Sequence, residues 1–66
     1  MTRDERIEII ARAALAAVPL SDSYMPEARE CAANFLDGIR AGAPDAIEER
    51  MEAGMREAAR KIGVAQ

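Results

Sequence analysis

The sequence predicts an all-α fold, a small three-helix unit that takes up residues 1–66 as a single domain. Three observations lead there. Apolar residues recur at three- and four-residue spacing along three separate segments. Helix start and stop signals bracket each segment. No stretch alternates with the two-residue period of a strand. The expected helices cover about residues 3–18, 23–41 and 44–62.

Thr2 and Glu5 have the spacing of a capping box, so the first helix starts at Arg3. Ile7, Ile10, Ala11, Ala14, Leu15 and Val18 share one face. Ile9, Ala13 and Ala16 form a smaller apolar strip on nearly the opposite side, which Leu20 extends. Glu8 and Arg12 are an i,i+4 pair, and Pro19 stops the helix. Between Ile9 and Leu20 the only charge is Arg12, so the helix is apolar almost all round and needs cover on more than one side. The remaining chain supplies one further layer, which points to a second protein molecule.

Ser21, Asp22 and Ser23 are candidate caps for the second helix, and Pro26 fits its first turn. Ala28, Cys31, Ala32, Phe35, Leu36 and Ile39 make its apolar stripe, and Gly42 is expected as its left-handed C-terminal cap. The third helix restarts at Ala43-Pro44-Asp45, with Pro44 at the first helical position. Asp45, Glu48 and Glu49 sit at the positive end of its dipole, Arg60 and Lys61 at the negative end. Ile47, Met51, Gly54, Met55, Ala58 and Ile62 form its stripe. Glu52–Arg56 and Glu57–Lys61 are further i,i+4 pairs, and Gly63 closes the helix with Val64 behind it. Turns this short make neighbouring helices antiparallel.

The composition narrows the ways such a unit can be held together. Half the residues are apolar, but there is one Phe, one Tyr and no Trp. Ordering a chain of this length costs on the order of 100 kcal/mol, and chains so small usually add disulfides, a metal or a partner. A lone cysteine excludes an internal disulfide, and the lack of histidine with no cysteine cluster excludes a zinc staple. A homodimer or larger oligomer, or a bound partner protein, is the expected support. The net charge of −3 argues against nucleic acid. A helix-turn-helix reading fails because the third helix would present Asp45, Glu48 and Glu49 to the phosphates. No apolar run approaches the roughly 18 residues of a membrane span. Acidic residues precede the Ile9–Leu20 run, unlike a signal peptide, and the single thiol suits a reducing, cytoplasmic setting.

Candidate sites follow from the same faces. Ile9, Ala13, Ala16 and Leu20 are expected to centre a contact surface for an oligomer or a partner. Gly54, on an apolar face where glycine costs about 1 kcal/mol against alanine, is expected at a close helix crossing, also assigned to an oligomer contact. Met51 and Met55 read as core, and Cys31 as a buried, inert thiol. Tyr24, Arg29 and Arg40 are candidates for binding an anion. No nucleophile has a base beside it, and no carboxylate pair is forced into a dry site, so neither an enzyme nor a cofactor is expected. The expected function is a non-enzymatic, cytosolic protein-binding module, an adaptor or inhibitor. Its resemblance to bacterial and phage accessory regulators is one of size and composition only. The alternative is an oligomer holding a small anion such as a nucleotide between subunits.

Overall fold

The computed structural model describes residues 1–40 and 42–64. Its helices are α1 (Arg3–Ala17), α2 (Met25–Leu36) and α3 (Ala46–Lys61), with a 3-10 turn at Asp22–Tyr24 leading into α2. No strand occurs among the described residues, and no helix is long and apolar enough to cross a membrane.

The ends of α1 follow from local chemistry. The Thr2 hydroxyl accepts from the Glu5 N–H at 3.2 Å, and the Glu5 carboxylate accepts from the Thr2 N–H at 3.1 Å. Two of the backbone donors left free at the helix start are thereby satisfied. Val18 is the C-cap, and Pro19, joined to it by a cis peptide bond, cannot continue the helix. The Leu20 N–H then turns back to the Leu15 carbonyl at 2.8 Å, which brings Leu20 against the core, half-buried.

Both ends of α2 depart from expectation. None of Ser21, Asp22 and Ser23 caps it through a side chain; the two serine hydroxyls bond each other at 2.6 Å instead. The 3-10 turn runs straight into the helix, so the backbone supplies the continuity that a cap would otherwise provide. The helix ends at Leu36, well short of Ala41, which lies outside the described residues. Gly38 adopts φ +73, the Gly38 N–H donates to Phe35 at 3.2 Å, and the Ile39 N–H donates to Asn34 at 2.9 Å. That bond pair is a Schellman closure built on the Asp37-Gly38 step. Gly38 thus plays the part expected of Gly42.

The start of α3 is capped by Asp45, whose side chain accepts from the Glu48 N–H at 2.8 Å. Pro44 therefore precedes the cap instead of opening the helix. The far end matches expectation. Gly63 has φ +79, the Val64 N–H reaches the Ala59 carbonyl at 2.9 Å, and Val64 packs against the core.

α1 is the hub. It packs closely against both α2 and α3, whereas α2 and α3 barely touch each other. Ile10 is the one large side chain that is fully buried, and Ala11, Ala14, Ala28 and Ala32 are buried around it with Leu15, Met25, Met51, Met55, Ala58 and Ala59. So many alanines bring the helix backbones close but provide little apolar area each. Arg3 binds Asp37 through two nitrogens at 2.8 and 3.0 Å, and Arg29 binds Glu8 at 2.9 and 3.3 Å. These two pairs run α1 and α2 antiparallel.

Candidate functional site

Gly54 sits at the tightest point of the fold. A Cβ placed there would lie 2.7 Å from both the Ala13 carbonyl oxygen and the Ala17 Cβ. The close crossing expected of Gly54 is therefore between α3 and α1 of the same chain. Ala13, expected on a contact surface, lies beneath it and is half-buried. Leu20 packs on the core. Of the four residues assigned to that surface, Ile9 and Ala16 remain exposed, Ile9 to 37%. The cover that α1 requires thus comes on two sides from α2 and α3, which leaves a narrow outer strip of its own.

The anion-binding candidates are not brought together. Tyr24 stands at the start of α2, and Arg40 lies beyond the opposite end of this twelve-residue helix, roughly 18 Å long. Arg29 is held in its bidentate pair with Glu8, whose carboxyl that bond keeps below its ordinary value. The guanidinium's hydrogen-bonding edge is thereby turned to α1 and away from Tyr24 and Arg40 as a shared site.

The more substantial feature lies where α2 and α3 diverge. A groove of about 460 Å³ runs between them, with an apolar floor of Phe35, Ile39, Met51 and Met55. Cys31, Asn34 and Arg40 edge it on one side, Glu48 and Glu52 on the other. Met51 and Met55 are buried as expected, but their outer surface is the groove. Cys31 is exposed at the rim, a correction to the buried thiol expected from the stripe. Partial burial pushes its pKa up, and the nearby carboxylates Glu30, Glu48 and Glu27 push it further, so the thiolate is disfavoured. Ile39 is 58% exposed although it occupies the position after a Schellman glycine, where Val64, beyond the end of α3, packs inward. Ile47, expected in the stripe of α3, is 50% exposed.

Periodicity had placed these side chains on the inner faces of α2 and α3 without showing that the faces stand apart. The signal for it was the size of the residues. Phe35 and Ile39 are large and share the groove lining with Met51 and Met55, whereas Gly54 meets alanines.

Among the described residues no group of three or more histidine, cysteine, aspartate or glutamate side chains is arranged to hold a metal ion. No family model, curated protein or solved structure matches the chain.

Proposed function

We propose that the protein is a non-enzymatic binding module that acts as an adaptor or inhibitor, and that the groove between α2 and α3 is its working surface. The observation that supports this is the exposure of Ile39 beside Phe35, Met51 and Met55 in one continuous apolar floor. A groove offers a partner more contact than a flat face, and methionine repacks readily around what enters it. The exposed strip of Ile9 and Ala16 on α1 is a smaller, second surface, to which we assign self-association. Binding of a small anion by Tyr24, Arg29 and Arg40 has no comparable support, because the three do not converge.

Immobilised protein should retain a specific binding protein from an extract of its source cells. Ile39→Asp, at an exposed position, should abolish retention while leaving helicity and melting temperature near the parent values. Ile9→Asp should retain the binder and lower any self-association seen by sedimentation velocity. If Ile9→Asp loses the binder and Ile39→Asp keeps it, the working surface is on α1 and the groove reading is wrong.

A further inference from the structure

We infer that α2 is a lid: it lifts off α1 as a unit while α1 and α3 stay packed, and two interhelical ion pairs clasp it shut. This motion of the groove's α2 wall is independent of what the groove binds.

α2 is the helix with the least support of its own. At twelve residues it is the shortest of the three, and isolated helices shorter than about 12–15 residues are marginal in water. α1 begins on a capping box and α3 on the Asp45 side chain, whereas no side chain caps the start of α2. α3 has acidic residues in its first turn and basic ones in its last, which suits the helix dipole. It is also laced by Glu52–Arg56, Glu57–Arg60 and Glu57–Lys61, and α1 by Glu8–Arg12. Among the described residues α2 has no ion pair within itself.

The seating of α2 differs as well. It gives the core Met25, Ala28 and Ala32, rests on α1 and barely touches α3. Lifting it therefore opens a single seam. Lifting α3 would open the crossing at Gly54, and removing α1 would open both seams. Two charged contacts tie α2 down, Arg29 to Glu8 in its first half and Asp37 to Arg3 just past its end, each through two nitrogens. The fork geometry makes both pairs directional, while their exposure keeps each of them weak. A weak clasp on a poorly supported helix fits an element that opens at a lower free energy than the whole chain. Opening brings Ala28 and Ala32, each 0% exposed, into solvent with the part of α1 that they cover.

Native-state hydrogen exchange of the intact chain in rising urea tests this. Amides of α2 should exchange at least about tenfold faster than the slowest of α1 and α3, with a smaller urea dependence because less surface is uncovered. Ala53→Gly, at an exposed position of α3, weakens a helix that the opened lid leaves intact. It should speed the slowest α1 and α3 amides about fivefold and leave those of α2 unchanged. Arg29→Gln removes one clasp and should speed α2 about threefold. A single rate and urea dependence for all three helices, or faster α2 exchange in Ala53→Gly, would mean that the chain opens only as a whole and would overturn the inference. So would α2 exchange that Arg29→Gln leaves unchanged, since the ion pair would then have no part in holding the lid.

Discussion

One flank of α3 lies so close to α1 that Gly54 has no room for a methyl group, whereas the flank facing α2 leaves a groove of about 460 Å³. Both flanks are apolar, so hydrophobicity does not separate them. Size does. Gly54 meets Ala13 and Ala17, and the backbones close up. Met51 and Met55 lie across the groove from Phe35 and Ile39, because α2 and α3 are each seated on α1 and barely touch each other. A chain rich in alanine can therefore build one dense seam and still leave a groove lined by large side chains.

The comparison breaks most completely at Ile10, the large residue at the bottom of the dense seam. Ile10→Ala should cost about 2–5 kcal/mol, comparable with the ~3–5 kcal/mol that a core this small supplies. Loss of the cooperative urea transition is the expected result. Gly54→Ala comes next. Alanine is favoured in a helix by about 1 kcal/mol, but overpacking the crossing costs roughly 1–3 kcal/mol. A net loss of about 1 kcal/mol in urea unfolding is expected, and a net gain would mean that α1 and α3 stand further apart in solution.

Much of this fold could be read in advance. The capping box of α1, the Gly63-Val64 closure of α3 and the Glu8–Arg12 and Glu52–Arg56 pairs all arise from residues within a turn or two of each other. The end of α2 is hidden because Ile39 keeps the helical rhythm across Gly38, which masks the left-handed preference of the Asp-Gly step. The groove was hidden for a different reason. Periodicity says which side chains share a face, but the gap between faces depends on how two helices are seated on a third. Arg29 illustrates the same limit, since its partner Glu8 lies 21 residues away in sequence.

The corrected end of α2 sharpens the comparison at smaller cost. Gly38→Ala meets open space but must hold φ +73, so it should destabilise by about 1 kcal/mol. Gly42→Ala, beyond the end of α2 and uncrowded, should lie within about 0.5 kcal/mol of the parent. Equal effects at the two glycines would return the cap to Gly42.

The smallest effect concerns acid. The Arg29 hydrogen bond holds Glu8 below its ordinary value of 4.5. The bond's contribution to stability is therefore present above that value and is lost as pH falls through the lowered one. The Thr2 backbone N–H lowers Glu5, and Arg60 lowers Glu57, in the same sense. Melting temperature should decline below about pH 4.5, and Glu8→Gln should make that decline shallower. These groups are exposed, so added salt should weaken the effect.

The contrast between a closed seam and an open groove is tested most directly by isoleucine methyl resonances in the presence of a soluble nitroxide. The Ile39 methyl, 58% exposed, should broaden strongly, while that of Ile10, at 0%, should keep its intensity. Equal protection of the two methyls in the dilute protein would mean that the groove is closed, and would contradict the account.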